Sequence, residues 1–294
     1  MHTVNTGPAE ALPPELPFTP ESPIYPFAIQ NPAAAMLIPA IATEAVMLDP
    51  IAAAVRAHSN FLQVPYSRIY HTGASALSLT LGDNIEALAK ARDLWNMHAG
   101  IQGEYGGVSY SANDGPAQAW VLMSIDHAVS EANRRWGKRP MTYKERDAVW
   151  RHDIRPFGLF FGTPDDALPK TLGDVFDYRH ELVYGEKLLQ THVSRDLVQE
   201  IFSFHSWKAP LPYARFAQAI TKASIDPIML EQASVTFTDR ERRLSAGFDR
   251  FMQRTYARLP AGWLGKTVTA YTRLSSPSGA HRILPQASSA TLQV

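Results

Sequence analysis

The run from Thr80 to Tyr110 constrains this chain most. Ala87, Ala91, Leu94, His98 and Ile101 recur at i, i+4, i+7, i+11 and i+14, one side of a 3.6-residue helix. The stretch therefore reads as an amphipathic helix with one histidine near the C-terminal end of its apolar face. Asp83 or Asn84 can cap its start, and Glu86 lies in the first turn, where the helix dipole favours a carboxylate. Gly100, Gly103, Gly106 and Gly107 mark where the regular helix frays and stops. An inward histidine has two readings. One is a core residue with a local hydrogen-bond partner. The other is a metal or haem-iron ligand, since neutral imidazole is the commonest metal ligand. Periodicity alone leaves both open.

Composition removes several classes of chemistry. The 294 residues contain no cysteine, which excludes disulfides, thiolate haem ligation, cysteine nucleophiles and thiolate-held iron–sulfur clusters. Any metal must be held by His, carboxylate, Lys or Tyr. Lys and Arg total 28 and are balanced by 28 Asp and Glu, which argues against nucleic acid as the main partner. The N-terminus lacks a basic start followed by an apolar run, so it does not read as a secretory signal. The longest apolar stretch, Ala33 to Leu48, is interrupted by Pro39 and Glu44 and falls short of the roughly 20 residues of a spanning helix. It reads as a buried helix, and the expected location is cytoplasmic with no transmembrane segment.

Along the chain the patterns are helical. A Pro-, Glu- and Thr-rich arm precedes a helix-like run from Asn31, which Pro39 is expected to break or kink. Asp49-Pro50 carries the N-cap and N1 signature of the next helix. On a helix, Arg68, His71 and Thr72 would share one face. Asn113-Asp114-Gly115-Pro116 opens a helix to about Trp136, with Trp120, Met123 and His127 on one side. Thr142 and Glu145 form a capping-box pattern. Phe157–Pro169 reads as a loop, followed by helices over 171–190, 194–203, 213–225, 227–231, 238–258 and 262–274. No glycine-rich phosphate loop, nucleophile elbow or paired acid and base emerges. Of the ten histidines, His71 and His98 stand in apolar settings beside glycine breaks, His58 and His127 suit structural hydrogen bonds, and the rest suit the surface or tails.

The order of segments resembles the rubber-oxygenase catalytic-domain family, which includes the latex clearing protein and MpaB-type oxygenases of secondary metabolism. The resemblance lies in AAAMLIPAIATEAVMLDPIAAAVRAHSNF, VPYSRIYHTGASALSLTLGD, LWNMHAGIQG, YSANDGPAQAWVLMSIDHAV and FGLFFGTPDDALPKTLGDVFDY, in that order, over about residues 30–180, with weaker agreement to about 275. It implies an all-α, globin-reminiscent domain enclosing a b-type haem. The implied layout is an extended arm at 1–28, a helical haem-binding oxygenase-like domain at 29–275 and a flexible tail at 276–294.

On that resemblance His98 takes the proximal iron position. Arg68 and Thr72 match polar residues of the helix across the haem, and His71 either ligates the sixth site or hydrogen-bonds bound dioxygen. The catalytic candidates are thus His71, Thr72 and Arg68. The haem-binding candidates are His98, Arg68, His71, Trp120 and Met123, with Phe160 and Phe161 beside the pocket. The chain departs from the latex clearing protein at His71, where that protein has lysine. It departs from the family at Trp95, where an arginine precedes the histidine by three residues. The implied reaction is oxidative cleavage of a C=C bond in an apolar, terpenoid-like molecule by dioxygen. Two rivals remain: a bis-histidine haem protein that senses or carries electrons, and a haem-free helical protein. An oligomer, reached through the N-terminal arm, is compatible with the sequence.

Overall fold

The computed structural model describes residues 22–29, 36–58, 84–203 and 211–255, and these are mostly helical, as an all-α class requires. In chain order the helices are α1 (Ile38–Ala45), α2 (Asp49–His58), α3 (Asn84–Ala99), α4 (Gly115–Trp136), α5 (Tyr143–Val149), α6 (Arg155–Phe160), α7 (Leu172–Tyr184), α8 (His192–Phe202), α9 (Leu211–Lys222), α10 (Pro227–Gln232) and α11 (Asp239–Thr255). Two strands, β1 (Gln102–Tyr105) and β2 (Val108–Ser111), pair antiparallel between α3 and α4.

Helix α4 is the central element. The Asp114 carboxylate accepts from the Ala117 N–H at 3.0 Å, Pro116 occupies the first turn, and Arg134 and Arg135 lie in the last. Ala119, Trp120, Met123, Ala132 and Trp136 are wholly buried, and other buried residues run round much of its circumference. A helix buried on so many sides belongs at the middle of a core rather than on its surface. Each large apolar side chain there contributes about 1.5–3 kcal/mol. The Thr142–Glu145 capping box forms as its sequence dictates, and Thr171 with Asp174 builds a second one at the start of α7.

Several expectations are corrected. Pro39 lies in the first turn of α1, where a missing N–H costs nothing, and the first part of the run expected from Asn31 lies outside the described residues. Phe157 to Phe160 are helical rather than loop. A π-helical turn, Trp150–Ile154, carries α5 directly into α6 with Pro156 in its first turn. The helix expected over 171–190 stops at Tyr184, and the Leu189 N–H bonds back to the Met47 carbonyl at 2.8 Å. Helix α3 stops at Ala99, before Gly100 as expected, and Gly103, Gly106 and Gly107 lie in a hairpin beyond it. Arg68, His71 and Thr72 lie outside the described residues, as do both ends of the chain and the helix expected at 262–274.

Buried polar ties join distant segments. Asp49 accepts from the Thr191 N–H and the Ser194 hydroxyl, so it secures the start of α8 from 142 and 145 residues away. Arg135 donates to Asp249, Ser224, Ser245 and the Ile220 carbonyl, fastening α4 to α9 and α11. Among the described residues no single helix is long and apolar enough to cross a membrane. The α1–α2 pair satisfies that test jointly but is bent by 106°.

Candidate functional site

Exposure along α3 confirms its inward face. Ala91 is wholly buried; Leu94, Trp95 and His98 are half-buried; Arg92, Asp93, Asn96, Met97 and Ala99 are exposed. Against that face stands α6. Ala91 and Phe160 form a small buried cluster, with Leu94, Phe157 and Phe161 packed on it. The Phe157 and Phe161 rings meet edge to face at 4.8 Å, and Phe160 and Phe161 at 5.6 Å, a favoured geometry for aromatic pairs. The Cζ3–Cη2 edge of the Trp95 indole abuts Gly162. A Cβ built there would stand 2.1 Å from Trp95 Cζ3, and the backbone has φ +80°, so glycine is required twice over. His98 thus follows on the side of α3 whose preceding turns, at Ala91 and Leu94, meet this aromatic wall.

The end of α3 that carries His98 is held by the hairpin. The Ile101 N–H bonds to the His98 carbonyl at 3.0 Å, and the Ala112 N–H bonds to the Ile101 carbonyl at 2.9 Å, which closes the base of the β1–β2 ladder. Its turn, Gly106-Gly107, has φ +58° and +79°, the two positive values of a type I′ turn. The tip presses on α8, where a Cβ at Gly106 would lie 2.7 Å from Val193 Cγ2. Tyr110, buried on β2, shares a 2.8 Å hydrogen bond with His58 Nε2 at the end of α2, their rings edge to face. His98 is therefore positioned from two directions, by α6 along the helix and by α2 and α8 beyond its end. Ile101 continues from α3 into the main core.

Trp120 and Met123 lie in that main core, both wholly buried, and Trp120 Nε1 donates to the Glu44 carbonyl at 2.8 Å. Phe157 packs on both clusters and so joins the His98 face to the core that holds them.

A second polar centre escaped sequence reasoning. The Glu44 carboxylate is buried at the junction of α1, α4 and α7. It meets His127 Nδ1 at 2.6 Å and Arg179 Nη1 at 3.1 Å, and Arg179 lies over the Trp120 ring. Burial pushes the Glu44 carboxyl up, but His127 and Arg179 outweigh it and hold the pKa below the usual value. The available signal was a lone acid within an otherwise apolar run. Among the described residues no three His, Asp or Glu side chains gather to hold a metal ion, so α3 offers the chemistry of a single imidazole.

No curated protein and no solved structure matches this sequence. A family match does cover the aromatic wall, the hairpin and the His98 helix. Residues 27–257 fit the catalytic domain described as ER-bound oxygenase mpaB/B'/Rubber oxygenase, and the chain belongs to that oxygenase family.

Proposed function

We propose that the chain is a haem b-dependent oxygenase acting on an apolar small molecule, with His98 as the proximal iron ligand and residues 29–275 as the haem-binding unit. The observation that carries this reading is the half-buried His98 on the inward stripe of α3, fixed at its end by the hairpin and continuing the side of the helix on which Ala91 and Leu94 pack against the α6 phenylalanines. These residues fit the group. A flat, apolar macrocycle needs one axial imidazole and aromatic walls rather than a cage of carboxylates. Bound haem supplies the dioxygen chemistry, and the protein supplies orientation and exclusion of water.

In this reading Arg68 would pair with a propionate, and His71 and Thr72 would offer hydrogen-bonding groups to the reacting molecules. Trp95, Phe157, Phe160 and Phe161 keep the pocket dry and select an apolar substrate. Cleavage of one C=C bond by one dioxygen into two carbonyl groups balances atoms and electrons without an external reductant.

The test is the optical spectrum of protein expressed with ample haem. A Soret band is expected, and it should be lost or strongly reduced in His98→Ala. Full haem occupancy in that variant would remove His98 from the iron, and no Soret band in the wild type would favour a haem-free protein. Carbon monoxide should bind the ferrous form. Refusal, together with a bis-histidine spectrum that changes in His71→Ala, would replace the oxygenase by a six-coordinate sensor or electron carrier.

A further inference from the structure

The charge of the chain is balanced, yet its unpaired arginines are not evenly spread. Most arginines of the described residues are engaged: Arg56 with Glu200, Arg134 with Glu131, Arg135 with Asp249, Arg139 with Glu145, Arg146 with Asp126, Arg151 with Asp147, Arg155 with Asp165 and Arg179 with Glu44. Apart from Arg92 on α3, the exceptions lie on helix α11. Arg240, Arg243, Arg250 and Arg254 fall at i, i+3, i+10 and i+14, on one side of the helix, and all four are exposed. None of them makes an ion pair or hydrogen bond with another described residue. Gly247 occupies the i+7 place in that row, with nothing within 4 Å of where its Cβ would stand. The row extends over about 21 Å at 1.5 Å per residue.

The acids of α11 do not neutralise this row. Asp249 is held inward by Arg135 and Trp136, and Glu241 by Lys222. Asp239, at the helix start, is the only other acid on α11. Beside the arginines the same face exposes two large apolar side chains. Phe251 is 58% exposed and Leu244 41% exposed. Phe251 is braced from behind, stacked on Phe248, which packs edge to face on Trp136 and Phe216. A row of cations unpaired among the described residues and flanked by projecting aromatic and aliphatic groups is the pattern of a helix lying in a lipid interface. There, arginines meet headgroup phosphates and carboxylates while the apolar groups enter the acyl boundary.

We propose that the outer face of α11 docks the protein on an anionic lipid surface. Arg240, Arg243, Arg250 and Arg254 supply the electrostatic attraction, and Leu244 and Phe251 supply the insertion. The proposal does not depend on the haem assignment.

Co-sedimentation of the full-length protein with phosphatidylcholine vesicles, with and without about one-third phosphatidylserine, tests it. Binding is expected to the anionic vesicles alone and to weaken as salt rises. At about 1 kcal/mol per arginine, or roughly fivefold each, Arg243→Gln/Arg250→Gln should weaken it about 25-fold. Phe251→Ser should weaken binding while leaving its salt sensitivity in place. These are surface changes, and unchanged thermal unfolding verifies that the variants fold. Equal binding to both vesicle types, no binding to anionic vesicles, or unaltered binding by the double variant would each overturn the proposal. Retention by duplex RNA with no vesicle binding would assign the face to a nucleic acid instead.

Discussion

Replacing Gly162 by alanine should unseat the helix that carries His98. Two effects add. The backbone at Gly162 has φ +80°, a conformation that costs an L-residue roughly 1–2 kcal/mol. The new Cβ would also lie 2.1 and 2.3 Å from Trp95 Cζ3 and Cη2, against a comfortable carbon separation of about 3.5–4.0 Å. The indole must retreat by more than an ångström, taking α3 with it or leaving its rotamer, and such overpacking costs about 1–3 kcal/mol. The expected loss is therefore about 2–5 kcal/mol, read from the urea midpoint at constant slope. Trp95→Leu removes the obstructing ring atoms, so Gly162→Ala in that background should retain only the backbone part, about 1–2 kcal/mol. The double-mutant cycle isolates the difference. Equal costs in the two backgrounds would refute the close packing of the Trp95 ring edge on Gly162.

Two further predictions concern buried acids. Glu44→Gln strips the charge that faces His127 and Arg179, and removing one partner of a buried pair costs about 3–5 kcal/mol at neutral pH. Because the Glu44 pKa is lowered in the folded protein, that stabilisation is present above the ordinary carboxylate value and is lost as pH falls through the folded one. The gap between wild type and variant should thus narrow in acid; a gap that widens would sink the assignment. Asp153 behaves oppositely. It is buried while accepting the Ile24 N–H at 2.7 Å, and burial raises its pKa from 3.8 to about 6. The folded protein then holds a proton that the unfolded chain has released, so stability falls as pH rises from 3.8 through about 6, by roughly 3 kcal/mol in total. Asp153→Asn should abolish that slope. Identical pH dependence of urea unfolding in the two proteins would contradict it.

What the sequence disclosed was local. The Asp114 cap, the Thr142–Glu145 box and the α3 stripe depend on residues within a few turns of each other, and all three are formed. The hairpin was also legible, since Gly-Gly between Glu104-Tyr105 and Val108-Ser109 is a two-residue turn signal. Its glycines read as a helix stop because the preceding helix pattern was so strong. Pro39 and Pro156 illustrate a different ambiguity: proline ends one helix or begins the next, and packing chooses. Asp49 and Glu44 were out of reach. Their partners Ser194 and Arg179 lie 145 and 135 residues away, and no spacing rule connects them. Arg68, His71 and Thr72 lie outside the described residues, and their roles follow from the family resemblance.

The pair of apolar clusters has a kinetic meaning. Among the described residues, the one beneath α3 is formed by Ala91 and Phe160 with Leu94, Phe157 and Phe161, while the one around α4 holds most of the buried side chains. From Ala91 to Ala99, α3 exposes most of its side chains, whereas α4 is buried on many sides, and a helix with a single buried side opens at lower free energy than one enclosed by the core. Amides of α3 should therefore exchange with deuterium ahead of those of α4. A large flat ligand at His98 would enter and leave through that partial opening, with the main core still closed.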